Sequence, residues 1–324
     1  MSLPLPVTLQ INVAPTDLPH AVHTLPHQLR WFSGQVQEIL FTYDLHRTER
    51  GGRFAEGWEE RRGPMGELLE GLCAEHPSAR VDQVDYDPGR MAGLSRELFG
   101  PGAAMPVKDT KGAPFYPYFY GLAAAGNEHV LHLDSDMMFG GGSQHWVAEA
   151  CELMRADDEL LACNPQAGPP SAAPHAAPPR AGPYPSAPGA IRHQTMNTRL
   201  YLIDRGRLRE RLAPMGLLGP VRLSSRLKAK LHGNPPFAAA ELAMSEAMRR
   251  AGMCRVDFPG SEPGMWSLHP PYRSPEFYRE LPRLIELIES GRVPEAQRGD
   301  YELGDSMLDW SRARRRARIR RIWA

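Results

Sequence analysis

The chain has 324 residues, 42% of them hydrophobic and 23% charged, which is the balance of a globular protein with a sizeable core. Its formal net charge is zero, so no global positive field points to nucleic acid as a partner. The charge is unevenly placed, because the C-terminal stretch SRARRRARIRRIWA holds seven arginines and no acidic residue, and the rest of the chain carries about −7.

Cysteine usage and the lack of long apolar runs predict a cytoplasmic protein. The four cysteines are scattered and form no C-x-x-C pair, which predicts reduced, mostly buried thiols. The N-terminal residues MSLPLPVTLQ lack the basic and long apolar segments of a signal peptide. No run approaches the roughly 18 apolar residues of a membrane-spanning helix.

The first 45 residues predict a strand, a helix and a second strand. Residues 7–13 are mostly β-branched or apolar and stop at Ala14-Pro15. Residues 18–31 place apolar side chains at helical spacing. Residues 38–43 form another apolar run that ends at Asp44. A βαβ unit of this kind implies a parallel sheet with a right-handed crossover.

Further strands and helices alternate along the rest of the chain, with residues 47–62 predicted as a loop. Helices are predicted at 66–76, 115–125, 146–155, 205–212, 236–252 and 275–290, and strands at 81–86, 130–133, 160–163, 195–203 and 254–258. Residues 164–189 are dominated by Pro, Ala and Gly, which excludes a helix or a central strand. This long loop is either an insertion or a lid over an active site.

Two aspartates follow the apolar strand in the stretch VLHLDSDMMFGGG, residues 130–142. If strand pairing continued to Asp136, then Asp134 and Asp136 would share one face and Ser135 would point away. Two close carboxylates repel unless a cation lies between them, and Mg²⁺ or Mn²⁺ suits such oxygens. The glycines at 140–142 would let the backbone approach a ligand closely. The stretch therefore predicts a metal site at a strand end, where ligands bind in open parallel sheets.

The order of these parts resembles a glycosyltransferase of the GT-A fold, most similar to family 2. The resemblance is carried by EILFTYD at 38–44, by AAAGNEHVLHLDSD at 123–136 and, in part, by AELAMSEAMRRAG at 240–252. It covers roughly residues 7–260. It implies a Rossmann-like α/β fold with a mixed, mostly parallel sheet flanked by helices in residues 1–265, and residues 266–324 form a helical C-terminal extension.

The resemblance assigns the donor-binding residues. Asp44 would contact the nucleotide base, and Ala14 and Pro15 would line the same pocket. Asp134, Ser135 and Asp136 would hold the sugar-nucleotide through Mn²⁺ or Mg²⁺, with Asp136 as the more direct ligand. A histidine after the last core strand often completes such a metal site, which points to His269 as a third ligand. Candidates for the diphosphate are Lys108, Lys111, Arg192 and Arg273.

The resemblance places the general base at Glu241, on the helix predicted at 236–252. Where the family has an acidic pair, this chain has Ala240 and Glu241, so one carboxylate is left. Glu246 lies about 140° round the helix and would face elsewhere. Trp266 either stacks on a sugar ring or belongs to the core.

The function implied by the resemblance is metal-dependent hexosyl transfer from a nucleotide-sugar, with UDP as the leading nucleotide. The acceptor hydroxyl would belong to a glycan, a lipid-linked molecule or a small molecule, and no nucleic acid is expected. Direct displacement would invert the anomeric configuration, although GT-A folds also host retaining enzymes. The processive motif Q-x-x-R-W and its membrane helices are absent from the sequence, which favours single, non-processive transfer.

Three other functions remain open from the sequence. A haloacid-dehalogenase-type phosphohydrolase also uses an apolar strand followed by D-x-D, but that motif normally opens the chain, and here three predicted strands precede it. A nucleotidyltransferase would carry a glycine-rich basic loop after its first strand, where this chain has VAPTDLP. A non-catalytic nucleotide-binding protein of the same fold is compatible with Ala240.

The arginine-rich C-terminal tail has its own alternatives. Apolar residues at Leu308, Ile319, Ile322 and Trp323 could give a basic helix a modest apolar face that contacts an anionic membrane at its inner face. The other interpretations are a solvated or disordered tail, or a helix docked on the acidic body of the protein.

Overall fold

The computed structural model describes residues 5–47, 55–171, 181–219, 223–231 and 233–323. Its strands are β1 (Leu5–Val13), β2 (Val36–Tyr43), β3 (Ala79–Gln83), β4 (His129–Asp134), β5 (Met138–Gly141), β6 (Leu160–Ala167), β7 (Ala181–Pro183), β8 (Ile191–His193), β9 (Leu200–Asp204), β10 (Cys254–Phe258) and β11 (Met265–Leu268). Its helices are α1 (Leu18–Phe32), α2 (Trp58–Glu75), α3 (Pro88–Phe99), α4 (Tyr116–Ala124), α5 (Trp146–Ala156), α6 (Arg205–Arg207, continued by a π-helical turn), α7 (Leu223–Leu231), α8 (Ala240–Arg250), α9 (Pro275–Glu289) and α10 (Ser311–Trp323).

The strands form one sheet in the order β3-β2-β1-β4-β9-β6-β10-β8-β7, and β11 joins it beside β6 and β5. The β1–α1–β2 unit predicted from the sequence is present, with β2, β1 and β4 parallel. Strand β9 runs antiparallel between β4 and β6. The predicted fold class, a mixed and mostly parallel α/β sheet flanked by helices, is confirmed.

The register of the central strands brings three strand ends to one edge of the sheet. Asn12 in β1 pairs with Thr42 in β2 on one side and with Asp134 in β4 on the other. The residues that follow β1 and β2, including Asp44, therefore emerge beside Asp134. Parallel packing thus assembles side chains that are separated by about 90 residues in the sequence.

Both faces of the sheet are covered by apolar clusters. Leu9 and Ile11 of β1 are fully buried beneath α1, where Phe32 and Phe139 pack edge to face. A second cluster, on α3, α4 and α8, covers the other face. The four cysteines are free, and three of them, Cys151, Cys163 and Cys254, are buried, as the sequence predicted.

Several element boundaries differ from the prediction. Helix α2 begins at Trp58, inside the stretch predicted as a loop, of which residues 48–54 lie outside the described part. Helix α3 was not predicted, although Asp87 caps it by accepting hydrogen bonds from Gly89 N and Arg90 N. Strand β6 continues through Pro165 into the predicted loop 164–189, whose residues 172–180 are not among those described.

The C-terminal part is packed on the sheet. Helix α9 lies against α1, and the His27 ring is 2.6 Å from Oε1 of Glu289. Strand β11 crosses the predicted boundary at residue 265 and pairs with β5 and β6, and the division into two domains stays a prediction. Of the described helices, none combines the length and apolar character that crossing a bilayer requires.

Candidate functional site

A cavity of about 320 Å³ opens where β1, β2 and β4 end. It is lined by eight of the predicted site residues. Its polar lining includes Asn12, Asp17, Asp44, Lys108, Lys111, Tyr118, Asp134, Ser135, Thr198, Arg199, Glu241 and Arg273, and Ala14 lines it as well. We call it the strand-end cavity. Four predicted residues, Pro15, Asp136, Arg192 and His269, do not line it.

The acidic turn differs from the predicted continuous strand. Strand β4 ends at Asp134, and Asp136 lies in the turn that follows. Ser135 is buried against α1, with its Oγ 2.9 Å from Nε2 of His20, whereas Asp134 contacts Tyr118 of α4. Gln28 of α1 also donates to the carbonyls of Asp134 and Met137. The strand stops here because side chains of α1 bind the backbone of the turn.

Arg273 connects the acidic turn to the start of α1. Its Nε donates to Oδ2 of Asp136 at 2.7 Å, and its Nη1 donates to Oδ1 of Asp17 at 2.8 Å. Asp136 is only 1% exposed. Burial by itself would raise the pKa of Asp136, but the Arg273 guanidinium, with His269 and His20, holds it well below its usual range. Asp136 is therefore a buried carboxylate, and Arg273 is its cation.

Asp134 lies at the wall of the strand-end cavity. The Tyr118 hydroxyl donates to its Oδ1 at 3.0 Å, and Nε2 of His132 is 3.7 Å from the same oxygen. Burial, and then the adjacent Asp134 carboxylate, raise the pKa of Tyr118 well above its usual value. Tyr118 therefore keeps its proton and orients this carboxylate.

Asp44 lies at the end of β2 with both oxygens occupied. Oδ1 accepts from the Tyr86 hydroxyl at 2.7 Å and from His46 N at 2.8 Å. Oδ2 accepts from Nζ of Lys108 at 3.1 Å, in a pair that is nearly buried. Lys108, predicted to meet the diphosphate, therefore neutralises the carboxylate predicted to meet the base.

The residues around Asp136 offer a divalent ion two ligand atoms but no complete protein cage among the described residues. Oδ1 of Asp136 and Nδ1 of His269 are buried and have no hydrogen-bond partner among the described residues. Nε2 of His269 is 3.8 Å from Oδ2 of Asp136, and burial lowers the pKa of His269 to about 4, which leaves the imidazole neutral. Within the described ranges, no three His, Cys, Asp or Glu side chains form a metal cage. Mg²⁺ commonly uses one or two carboxylates plus substrate phosphates, and that arrangement is available here.

Glu241 lies in the first turn of α8, between two cavities. Its Oε2 accepts from Thr198 N at 3.4 Å. It lines the strand-end cavity and also a second cavity of about 420 Å³, which we call the α8 cavity. Glu246 pairs with Arg249 and lines only the α8 cavity, so it faces away from the strand-end cavity, as predicted.

The glycines at 140–142 do not make room for a ligand. Gly140 faces Trp266, and a Cβ there would overlap the indole ring. Gly141 has φ +98°, and a Cβ would overlap the carbonyl of Gly264. These glycines allow β5 to pair closely with β11, and Trp266 is a core residue, 5% exposed.

Two further predictions need correction. Pro15 is buried in a single 3₁₀ turn after β1, and its neighbours Ala14 and Thr16 line the cavity instead. Arg192 lies on β8, where it pairs with Glu159 at 2.8 Å, so it is not a diphosphate ligand. Its position in the sequence gave no indication of this, because no element was predicted between the loop at 164–189 and the strand at 195–203.

The sequence did not single out several residues of the cavity. Asp17 was not among the predicted site residues, and Arg199 was placed inside the predicted strand 195–203, whereas it lies just before β9. Burial would lower the pKa of Arg199, but Tyr301, Asp134 and Asp136 raise it, so its charge persists beside the acidic turn. The signal for Tyr118 was available, since the aromatic helix α4 leads directly into β4.

Comparison with known proteins found similar folds. No protein-family model matches the chain, and no curated protein matches it. S. aureus TarS 1–349 in complex with UDP-GlcNAc is 10% identical, with TM-score 0.41, over 90% of this chain and 68% of that one. The mannosyltransferase PcManGT from Pyrobaculum calidifontis, in complex with GDP-Man and Mn²⁺, is 13% identical, with TM-score 0.34, over 90% and 65%. This chain spans 64% of the length of a second TarS structure.

Proposed function

We propose that the protein is a glycosyltransferase of GT-A type, which moves a hexosyl group from a nucleotide-sugar, with UDP as the leading nucleotide, to an acceptor hydroxyl. The observation that carries the proposal is the strand-end cavity. Asp44, Asp134, Arg273 and Glu241 all line it. Ligands of open α/β sheets bind at this edge, beyond the carboxyl ends of the strands.

The nucleotide base of the sugar donor would bind beside Asp44. A carboxylate offers about four acceptor positions, and the contacts to Tyr86, His46 N and Lys108 use three. One acceptor position is left for an N–H group of the base. This remaining acceptor position favours a nucleotide base that has a hydrogen-bond donor at that point.

The diphosphate would bind beside Arg273 and Arg199. Arg273 uses Nε and Nη1 on its two carboxylates, which leaves Nη2 donors for phosphate oxygens. A divalent ion bound by Asp136 and Asp134, with His269 beside it, would supply neutralisation of the negative charge that develops on the leaving diphosphate. Arg273 and Arg199 would bind the same phosphate oxygens and so orient the diphosphate of the nucleotide-sugar.

Glu241 is proposed as the general base. An acceptor in the α8 cavity would place its hydroxyl against this carboxylate, because Glu241 lines both cavities. The hydroxyl oxygen forms a bond to the anomeric carbon as its proton passes to Glu241. The bond from that carbon to the phosphate oxygen breaks, and the diphosphate leaves with the electron pair. Attack from the face opposite the leaving group inverts the configuration.

The test is binding followed by turnover. A thermal-shift panel of UDP-, GDP- and dTDP-sugars, with and without Mn²⁺, should give a rise in melting temperature for one nucleotide. Release of free nucleotide by slow donor hydrolysis then reports the chemistry without a known acceptor. If no nucleotide raises the melting temperature and p-nitrophenyl phosphate is hydrolysed with Mg²⁺, the protein is a phosphohydrolase instead.

A further inference from the structure

One segment of the chain carries charge of a single sign. Residues 219–237, GPVRLSSRLKAKLHGNPPF, include four basic residues and no acidic one. The residues that flank the segment are joined by a hydrogen bond, in which Ala238 N donates to the carbonyl of Leu218 at 2.8 Å. Helix α7 forms its centre. We call these 19 residues the basic excursion.

Two large apolar side chains of helix α7 are exposed. Ala229 is 1% exposed, whereas Leu227 and Leu231 are 57% and 71% exposed. Successive residues of an α-helix are about 100° apart, so the two leucines lie about 40° from each other and about 160° from Ala229. The helix therefore packs a methyl group on the protein and presents a leucine stripe to the surroundings. This is the reverse of a helix that stabilises its own fold by burial.

Basic side chains flank the leucine stripe. Arg226 and Lys230 are exposed, and helical geometry puts them about 100° and 60° from Leu227, on one side of it. An apolar stripe beside basic residues is the pattern of a helix that lies in a membrane interface. Its cations meet lipid phosphates while its leucines enter the acyl boundary.

The basic excursion lies beside both cavities. Leu218, Gly219 and Ala238, at its two ends, line the α8 cavity, as does Leu242, which is 54% exposed. Hydrogen bonds from Thr110 N to the Phe237 carbonyl, and from Asn234 Nδ2 to the Thr110 carbonyl, fix it to the loop that carries Lys111. Any surface on which α7 docks would therefore lie close to the α8 cavity and to Glu241.

We propose that Leu227 and Leu231, with Arg226 and Lys230, dock the protein on an anionic lipid bilayer. The charge favours lipid over a second copy of the chain, because two basic excursions would repel each other. Docking would hold the α8 cavity near the headgroups, where a lipid-linked acceptor enters it. That last step rests on the proposed function, whereas docking itself does not.

Co-sedimentation with vesicles tests the proposal in the full-length protein. We expect binding to phosphatidylcholine vesicles that contain about a third phosphatidylglycerol, little binding to phosphatidylcholine alone, and release by salt. The double variants L227S/L231S and R226Q/K230Q should each lower the partition coefficient roughly tenfold. The matched variant V22S/V81S removes two other exposed apolar residues, 40% and 39% exposed, and should bind as the wild type does.

Three results would overturn the inference. One is no binding to anionic vesicles, and another is an equal loss in V22S/V81S. The third is full binding by L227S/L231S with loss in I319S, which would assign docking to α10, where Ile319 is 47% exposed. Unchanged melting temperatures confirm that the variants are folded. Nucleotide-dependent thermal shifts, measured without vesicles, separate a failure of docking from a failure of the proposed function.

Discussion

Removing the guanidinium of Arg273 should destabilise the protein in a way that depends on pH. The R273Q variant loses two hydrogen-bonded ion pairs, with Asp136 and Asp17, whose side chains are 1% and 11% exposed. Arg273 itself is 25% exposed, so solvent screens these pairs only in part. Breaking one side of such a buried pair costs about 3–5 kcal/mol, because the remaining carboxylate is left buried and unpaired.

This loss converts into a measurable shift in melting temperature. The entropy of unfolding is about 2.1 cal/mol/K per residue, which for 324 residues is about 0.7 kcal/mol/K. A loss of about 3–5 kcal/mol therefore lowers the melting temperature by roughly 4–7 °C at neutral pH. Differential scanning calorimetry of the wild type and R273Q measures it directly.

The sign of the pH dependence follows from Asp136. In the wild type the folded-state pKa of Asp136 is depressed, so its contribution to stability is present above the unfolded pKa, near 3.8, and is lost as pH falls below it. Without Arg273, burial raises the folded-state pKa above the unfolded value. The variant then gains stability from protonation at low pH and loses it as pH rises. The difference in melting temperature between the wild type and R273Q should therefore shrink as pH falls towards 4.

Two controls sharpen the experiment. Arg279 is an exposed arginine on α9, the helix that begins two residues after Arg273, and R279Q should change the melting temperature by less than about 1 °C. The double variant D136N/R273Q removes both partners and should recover part of the loss, which reports their coupling. A deficit that is absent at neutral pH, or that grows towards pH 4, refutes the reasoning.

Three further predictions concern the cavities and the strand pairing. E241Q should lower donor hydrolysis about 100-fold or more while nucleotide-sugar binding is retained, and normal turnover with weakened binding would contradict the role of a base. D134N should remove the metal-dependent part of the nucleotide-induced thermal shift. An unchanged effect of Mn²⁺ would speak against Asp134 as a metal ligand. Asp136 is a poorer residue to replace, because its loss also breaks the ion pair with Arg273. G140A should lower the free energy of unfolding by about 1–3 kcal/mol through overlap with Trp266, with nucleotide affinity of the folded protein unchanged, whereas a selective loss of affinity would restore a ligand-facing role for Gly140.

The sequence predicted what depends on local pattern. The βαβ unit follows from apolar periodicity, and the gathering of Asp44 and Asp134 at one edge follows from parallel pairing. Glu241 was placed through a family resemblance, and the structure puts it at the same cavity. Its role as the base stays a prediction.

What the sequence could not predict depends on contacts between distant residues. Arg273 is 137 residues from Asp136 and 256 from Asp17, and nothing local marks them as partners. The glycines at 140–142 invited a ligand-binding interpretation, because the indole that fills the space beside Gly140 comes from Trp266. Helix α3 was a missed local signal, since Asp87-Pro88 is a good cap followed by a favoured first residue.

The closure of the basic excursion between Leu218 and Ala238 has an evolutionary consequence. Its two ends meet at one backbone hydrogen bond, so the polypeptide between them can be exchanged without altering the strands that hold the aspartates. The entropic penalty for lengthening such a loop grows only with the logarithm of its length. Substitutions or insertions in this segment are therefore expected to leave Asp44 and Asp134 in place, so the segment can diverge independently of the strand-end cavity.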